Sequence, residues 1–351
     1  MNAAQAAVLL KRLAARSLRR KPMNSSTEIR LTRLCTQRCR QCSVYEKKTR
    51  PATMSLDRFR HVASALRDYG AYIGFISGGE ATLVPHLDQI LIEAKKTFQI
   101  STTLVTGLYN STEIIQRAGR LALDMDINIQ TSLDGMGPLG DNLRGVPHFS
   151  DTVLGHMKWL SGNRGRSRSL LYANIVINNL NLEQVPELIK QARDLGWRTT
   201  VGLYHSLTDT TRTDDELRIR PGKRLDTLLA FLDNNPDILN LNQFVRGIRD
   251  FADKGSSDIC AFLDAPVLAT RTTIMEDGAL HLCWGDPVGN VFRQTLAEIF
   301  DSPEYRERLG QYRNCSGCWT TCYTQRYLLI HPGSVLELMH NIRKVRSLNR
   351  H

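Results

Sequence analysis

The stretch Cys35-Thr-Gln-Arg-Cys39-Arg-Gln-Cys42 is the most informative part of this sequence. It places three thiols with the spacing C-x3-C-x2-C in the loop that follows a predicted strand at residues 28–34. A structural zinc site is closed by four protein ligands, and this trio has no fourth cysteine or histidine nearby. An iron-sulfur cluster held by three thiolates keeps one iron open for a substrate or cofactor. The spacing therefore favours an open cluster.

A second motif, Ile76-Ser-Gly-Gly-Glu80, ends another apolar run further along the chain. It puts two glycines and a carboxylate at the carboxyl end of a predicted strand. Because ligand-binding residues of α/β folds gather at the carboxyl ends of the strands, we expect this motif to face the cysteines.

Together the two motifs resemble the signature of the radical S-adenosylmethionine (SAM) enzymes. The resemblance implies a [4Fe-4S] cluster whose open iron chelates SAM, with the glycine-rich strand end holding the methionyl amine. Reductive cleavage of SAM would then release a 5'-deoxyadenosyl radical. The implied cluster ligands and SAM contacts are Cys35, Cys39, Cys42, Gly78, Gly79 and Glu80. Gln41 departs from the pattern, because the family usually has an aromatic or apolar residue there, against the adenine.

Strand and helix patterns alternate from residue 28 to about residue 207. Predicted strands cover residues 28–34, 72–76, 101–105, 127–133, 170–177 and 199–204, and predicted helices cover 55–69, 86–97, 111–121, 150–161, 183–195, 222–234 and 242–254. Repeated βα units predict parallel strands joined by right-handed crossovers. Six such units match the partial (β/α)6 TIM-like barrel of the resembled family, so the predicted fold class is α/β.

Three residues near the predicted strand ends are further SAM contacts by resemblance. Ser132 begins Ser-Leu-Asp-Gly, and Arg144 lies in a following Leu-Arg-Gly; this pair resembles the SAM-contacting region of the peptide-modifying branch. An arginine fork suits a carboxylate, because it donates two parallel hydrogen bonds. Asn178 is predicted to contact the SAM ribose. A turn or cap role is the alternative for Ser132 and Asn178.

All eight cysteines fall into two groups, and the second contains Cys260, Cys283, Cys315, Cys318 and Cys322. Cys260, the Gly278-x4-Cys283 run and the closing Cys315-x2-Cys318 pair resemble the SPASM or "twitch" domains appended to many radical SAM enzymes. Five cysteines suffice for one auxiliary [4Fe-4S] cluster and one spare thiol, and zinc is the alternative. Asp286 is the predicted base near that cluster, with Tyr204 and His205 as alternatives.

Length and composition limit how many domains the chain can form. With 351 residues, 42% of them hydrophobic, the chain can form one full domain and a smaller one. The predicted segments are a basic leader at residues 1–24, the radical SAM barrel at 25–210, a helical bridge at 211–257, the SPASM/twitch-like domain at 258–330 and a basic tail at 331–351. No transmembrane segment or secretory signal is found, which predicts a cytoplasmic protein.

The net charge of +11 does not favour nucleic acid as a partner. Six of those charges lie between Lys11 and Lys21, and the other five are spread over the remaining chain as on an ordinary surface. The leader is compatible with a solvated tail, an amphipathic helix or a transit peptide.

The sequence thus predicts a radical SAM enzyme that abstracts hydrogen from an unactivated carbon of a peptide. The alternatives are a dehydrogenase or epimerase of a sugar or antibiotic-like metabolite, and a non-catalytic iron-sulfur scaffold. The expected partners are the peptide or small-molecule substrate and a reductant such as flavodoxin or ferredoxin.

Overall fold

The computed structural model describes residues 24, 26–42, 44, 52–98, 100–206, 212–264, 271–330, 334, 336–337 and 339. The predicted basic leader and basic tail lie almost wholly outside these residues. Within them, no helix is both long enough and apolar enough to span a membrane.

The secondary structure alternates as the sequence predicts. In chain order, the elements are β1 (Ser26–Arg30), α1 (Leu56–Tyr69), β2 (Ile73–Ser77), a 3-10 turn (Ala81–Leu83), α2 (Leu87–Thr97), β3 (Ser101–Val105), α3 (Thr112–Asp124), β4 (Asn128–Ser132), α4 (Gly137–Arg144), α5 (Phe149–Gly162), β5 (Leu171–Ile177), α6 (Val185–Asp194), β6 (Arg198–Leu203), α7 (Lys223–Leu232), α8 (Asn242–Lys254), α9 (Ala261–Asp264), β7 (Arg271–Ile274), β8 (Ala279–His281), β9 (Gly289–Asn290), α10 (Leu296–Asp301), α11 (Pro303–Tyr312) and α12 (Thr324–Ile330).

The described residues divide into two compact units. The first contains residues 24–35, 52–105 and 260–315, and the second contains residues 36–44, 106–259 and those from 316 onward. The predicted barrel and the predicted auxiliary domain each contribute to both units. The domain boundaries drawn from the sequence stay a prediction.

The sheet of the first unit has the strand order β3-β2-β1-β7-β8-β9. Strand β1 pairs in parallel with β2 on one side and with β7 on the other. The β7-β8-β9 part is antiparallel. Since β7 comes from the SPASM-like part of the sequence, that part is joined to the first strand of the barrel pattern by backbone hydrogen bonds.

The second unit contains the parallel strands β4, β5 and β6, with β5 in the middle. Buried and half-buried residues alternate along β5, and its buried side chains at Ala173, Ile175 and Ile177 have no exposed surface. Helix α6 buries Val185, Leu188 and Ile189, which is the apolar stripe that its sequence period predicts.

Strand β1 and helix α4 differ clearly from the sequence expectation. The strand predicted at residues 28–34 is wrong in its limits, because β1 runs from Ser26 to Arg30. Helix α4 was not predicted, because Gly137-Pro138 and Gly140 read as turn residues. Pro138 nevertheless occupies the first turn, where its missing amide hydrogen costs nothing, and Gly145 ends the helix at a φ of 62°.

A largely buried carboxylate, Glu28, joins the two strands at the β1–β7 junction of the first unit; its side chain is 16% exposed. The side chain of Glu28 accepts hydrogen bonds from Arg271 Nη2 at 2.7 Å, Ser77 Oγ at 2.8 Å and Arg30 Nε at 3.0 Å. Burial alone would raise the pKa of Glu28, but the charges of Arg30 and Arg271 and the hydroxyl hydrogen bond outweigh it. The pKa of Glu28 therefore lies well below its ordinary value.

Replacing this carboxylate with Glu28→Gln is expected to lower the free energy of unfolding by about 3 kcal/mol at pH 7, because it removes a negative charge that two partly buried guanidinium groups share. Since the folded-state pKa is depressed, the contribution of Glu28 is present above its ordinary pKa of 4.5 and is lost as the pH falls below it. Urea unfolding at pH 7 and pH 4 should show the gap between wild type and variant shrinking in acid.

The matched control is Asp57→Asn, which breaks an ion pair to Arg60 whose side chains are 92% and 52% exposed. It should leave the urea midpoint within error, as exposed pairs contribute little. A Glu28→Gln variant as stable as wild type at pH 7 would show that the Glu28 charge is dispensable.

Candidate functional site

In the first unit, the chain leading to Cys35 runs beside the end of β2. The Leu31 amide donates to Ser77 O at 2.8 Å, the Gly79 amide donates to Thr32 O at 2.6 Å, and the Glu80 amide donates to Leu34 O at 2.7 Å. These bonds continue the β1–β2 pairing beyond both strands. They fix the direction in which the backbone enters the cysteine loop, residues 35–42.

The two glycines of Gly78-Gly79-Glu80 are required by this close approach. A Cβ at Gly79 would lie 2.3 Å from Leu34 O, and one at Gly78 would lie 2.8 Å from Thr32 O. The sequence alone had suggested that the glycines admit a ligand. Within the first unit, they admit the backbone that precedes Cys35.

Glu80 is a buried carboxylate at the carboxyl end of β2. Its Oε1 accepts hydrogen bonds from the Thr82 amide at 3.0 Å and the Thr82 hydroxyl at 2.7 Å, and so caps the 3-10 turn Ala81–Leu83. These bonds hold the side chain in one place. A fixed buried negative charge at a strand end is suited to binding a cationic group.

In the second unit, the cysteine loop rests on the carboxyl end of α4. The Arg38 amide donates to Arg144 O and the Arg40 amide donates to Leu143 O, both at 3.0 Å. The last carbonyls of a helix have no partner within it, so the loop satisfies them and they satisfy the loop. A Cβ at Gly145 would lie 2.4 Å from Arg38 O, which explains the glycine of the Leu-Arg-Gly motif.

The Arg144 side chain is buried beneath the same loop. Its Nη2 donates to Asp134 Oδ2, and its Nη1 lies 3.6 Å from Cys39 Sγ. Burial lowers the pKa of Arg144, but the neighbouring Asp134 and Cys39 raise it by more, so the pKa lies above its ordinary value and the group stays a cation. Its Nε is buried and has no hydrogen-bond partner among the described residues.

The Asp134 carboxylate accepts hydrogen bonds from three groups, and it was not among the predicted site residues. Its Oδ2 receives Gln41 Nε2 at 3.1 Å as well as Arg144, and its Oδ1 receives the Val176 amide at 2.7 Å. The carboxylate is 1% exposed, so it depends on these partners. Its place in Ser-Leu-Asp-Gly, just beyond a strand, was the available signal.

The other two predicted SAM contacts lie at the strand ends where the sequence put them. Ser132 is the last residue of β4 and is half-buried. Asn178 follows β5 and is buried; its Nδ2 donates to Val176 O at 3.1 Å, and its Oδ1 accepts from the Leu180 amide at 3.0 Å. Those bonds are the turn chemistry that was the alternative for Asn178.

Three of the C-terminal cysteines lie in the first unit. Burial is the main cause that raises the pKa of the Cys260 thiol. The Cys283 amide donates to the Tyr312 hydroxyl at 3.0 Å. Burial, followed by the charge of Cys283, raises the pKa of Tyr312 well above its ordinary value. The buried Tyr312 therefore fixes the backbone at the half-buried Cys283.

Cys318 and Cys322 belong to the second unit, on either side of a tryptophan that fixes the turn. Trp319 Nε1 donates to Phe244 O at 2.8 Å, and its ring stacks on Phe244. The Thr324 hydroxyl donates to Cys318 O at 2.9 Å. Both cysteines are half-buried.

Asp286 lies on the surface of the first unit. Its side chain is fully exposed, and its Oδ2 is 3.9 Å from Arg308 Nη2. The guanidinium of Arg308 in turn lies over the Trp284 ring. The second alternative base, His205, is half-buried, and burial lowers its pKa to about 4.

None of the eight cysteines, all of which lie in the described part of the chain, forms a disulfide. Among the described residues, no three His, Cys, Asp or Glu side chains are grouped closely enough to hold a metal ion. The donor set still fits an iron-sulfur cluster, because the cysteine loop carries three soft thiols and the buried Arg144 Nη1 lies 3.6 Å from Cys39 Sγ, where it would stabilise a thiolate.

Comparison with known proteins agrees with this chemistry. The model of the radical SAM superfamily matches residues 29–216, and that of the iron-sulfur cluster-binding SPASM domain matches residues 266–322. The sporulation killing factor maturation protein SkfB of Bacillus subtilis (strain 168) is 24% identical over 171 residues, 49% of this chain and 40% of that protein. The antilisterial bacteriocin subtilosin biosynthesis protein AlbA of the same organism is 22% identical over 289 residues, 80% of this chain and 60% of that protein. The chain thus spans about half the length of the curated relatives it matches.

Solved structures share the fold. SuiB of Streptococcus suis bound to S-adenosylmethionine superposes with a TM-score of 0.61 at 18% identity, covering 92% of this chain and 78% of that one. Native anSMEcpe with bound AdoMet and a peptide superposes with a TM-score of 0.59 at 15% identity, covering 93% of this chain and 99% of that one. The predicted α/β fold class is confirmed. Since the family model covers more than half of the 351 residues, the chain belongs to the radical SAM superfamily, whose members are enzymes, and carries a SPASM domain.

Proposed function

We propose that this protein is a radical SAM enzyme that matures a peptide by abstracting hydrogen from an unactivated carbon. The observation that carries the proposal is the cysteine loop itself, whose amides rest on the end of α4 and whose Cys39 lies against the buried Arg144. A reduced [4Fe-4S] cluster at Cys35, Cys39 and Cys42 would supply the 5'-deoxyadenosyl radical from bound SAM.

The residues of the chain would bind and orient SAM. Glu80, held by Thr82, offers a fixed negative charge for the methionyl amine beside Gly78 and Gly79. Arg144 offers the carboxylate of SAM a buried Nε that no described residue satisfies. Such a donor is costly to bury alone, so a bound anion would stabilise it.

Two further SAM contacts are proposed at the strand ends. Ser132 would contact the methionine part of SAM or its carboxylate, and Asn178 would contact the ribose of SAM. The turn bonds of Asn178 fix its side chain, which is compatible with a positioning part in that contact.

The peptide as substrate class rests on the relatives. The names of SkfB and AlbA describe maturation and bacteriocin biosynthesis, and SuiB has been solved bound to its precursor peptide SuiA. No feature of the described residues favours the sugar or antibiotic-like metabolite over a peptide. A flavodoxin or ferredoxin as reductant and a cytoplasmic location stay predictions.

An auxiliary [4Fe-4S] cluster is proposed on four of the five C-terminal cysteines. The partial burial of Cys260, Cys283 and Cys315 and the Tyr312 hydroxyl beside the Cys283 amide support a cysteine site partly sheltered from water. Asp286 is retained as the proposed base for the substrate proton. Its full exposure gives it access to solvent but none of the burial that usually prepares a carboxylate for that role.

Iron content tests the two clusters. Anaerobically reconstituted protein should bind about eight irons, since each [4Fe-4S] site holds four, and changing Cys35, Cys39 and Cys42 to Ala should leave about four. Single Cys→Ser changes across the five C-terminal cysteines should reveal one position that leaves the iron content unchanged. A wild-type content of about four irons with one zinc would instead assign the C-terminal cysteines to zinc.

SAM binding tests the two charged contacts. Glu80→Gln and Arg144→Ala should each weaken SAM binding by about tenfold or more, because each removes one charged partner of a zwitterionic ligand. Release of 5'-deoxyadenosine with dithionite should fall in parallel. Glu113→Gln, an exposed carboxylate at the start of α3, is the control and should bind SAM as wild type does. Circular dichroism checks that Arg144→Ala stays folded, and unchanged SAM affinity in that variant would remove Arg144 from the site.

A further inference from the structure

The cysteine loop has an additional support in the second unit, the segment 212–217 that follows β6. We propose that Arg40 is a positioning residue that fastens the loop to this segment through Asp214 and Glu216, and that this latch sets how firmly the first cluster is retained. The inference rests on the proposed function, because it presupposes a cluster on Cys35, Cys39 and Cys42.

The Arg40 guanidinium uses all three of its nitrogen atoms. Nε and Nη2 donate to Asp214 Oδ2 at 2.9 and 2.7 Å, and Nη2 also donates to Glu216 Oε2 at 2.7 Å. Nη1 donates to Asn142 Oδ1 at 3.1 Å. Forked, charge-assisted bonds of this kind fix orientation as well as distance.

Backbone contacts reinforce the side-chain latch. The Arg212 amide donates to Gln41 O at 2.8 Å, while the Arg40 amide donates to Leu143 O at 3.0 Å. Residues 40 and 41 lie between the second and third cysteines of the motif. The two loop residues that separate Cys39 from Cys42 are therefore held from the segment after β6 and from α4.

The segment is itself firmly anchored, so it can hold the loop. The Tyr204 hydroxyl donates to Arg212 O and accepts from the Asp214 amide at 2.7 Å. Leu217 is 1% exposed and packs with Leu143 and Tyr204. The Asn179 amide donates to Leu217 O at 3.1 Å. A phenol, an apolar cluster and a backbone bond thus fix both ends of the described segment.

Exposure ranks the two acidic partners. The side chains of Arg40 and Asp214 are 26% and 18% exposed, whereas that of Glu216 is 71% exposed. Water and salt screen the Glu216 contact, so Asp214 carries most of the latch. The same segment offers a matched control in Asp215 and Arg218, whose side chains are 80% and 67% exposed and 3.2 Å apart.

Loss of iron to a chelator from the reconstituted holoprotein tests the latch, because a chelator reaches cluster iron when the loop opens locally. The kinetic phase that is missing from the variant without Cys35, Cys39 and Cys42 belongs to the first cluster. Arg40→Gln and Asp214→Asn should each accelerate that phase by about tenfold and leave the other phase unchanged. The double variant should be no faster than either single variant, because both remove the same interaction.

Asp215→Asn should release iron as wild type does, and Arg40→Lys should lie between wild type and Arg40→Gln. Wild-type rates in both Arg40→Gln and Asp214→Asn would overturn the latch, and so would equal acceleration of both phases, which would mean general loosening. Failure of the proposed function would look different, since no phase would then depend on the three cysteines.

A second readout covers variants that load poorly. In cluster-free protein, the buried Cys39 thiol should be alkylated about tenfold faster in Arg40→Gln than in wild type or Asp215→Asn, as the loop opens more often. Equal alkylation rates in all three proteins would overturn the latch by an independent route.

Discussion

Backbone hydrogen bonding of an irregular loop is the constraint on which the site depends. The cysteine loop is neither helical nor part of a strand, so its backbone amides need hydrogen-bond partners from other parts of the chain. In the first unit, the end of β2 pairs with residues 31–34, and in the second unit the last carbonyls of α4 accept the amides of Arg38 and Arg40. Thiols can be held ready for a metal only where the backbone that carries them is held first.

The same constraint explains the glycines of both motifs. Gly79 and Gly145 stand where a Cβ would lie 2.3 Å and 2.4 Å from carbonyl oxygens of the loop or of the chain before it. Sequence patterns that the family associates with SAM are, in this chain, also packing requirements. A substitution at either glycine would therefore displace the cysteines before it affected any ligand.

Charged side chains also hold the cysteine loop through hydrogen bonds. Arg144 and Asp134 are both buried, and each would be costly to bury alone, yet with Gln41 they form one hydrogen-bonded group beside Cys39, in which only Arg144 Nε has no partner among the described residues. Gln41, which departs from the usual apolar residue of the family, has a defined task here as a donor to Asp134. Arg40 turns outward to Asp214, so adjacent loop residues are held by separate acidic partners.

Much of the fold was predictable, because the βα alternation and the cysteine spacing are local patterns. Strand β3 and helix α8 have the predicted limits, and Ser132 and Asn178 lie at the ends of β4 and β5, where the sequence predicted them. Helix α4 was not predicted, because its glycines and proline are as typical of a turn as of a helix start. The hydrogen bonds of Asp134 and the Arg40 latch were not predictable, because they join residues far apart in sequence. Arg40 and Asp214 are separated by 174 positions. Only the folded chain shows such pairs.

The proposed function requires that the cysteine loop hold a cluster with one iron open to SAM. Electron paramagnetic resonance of the reduced protein can detect such an open iron. The cluster on Cys35, Cys39 and Cys42 should give a signal that changes when SAM is added, because a new ligand alters the electronic structure of the iron it binds. The signal of the auxiliary cluster, measured in the variant without those cysteines, should not change. A wild-type signal that is identical with and without SAM would contradict the account.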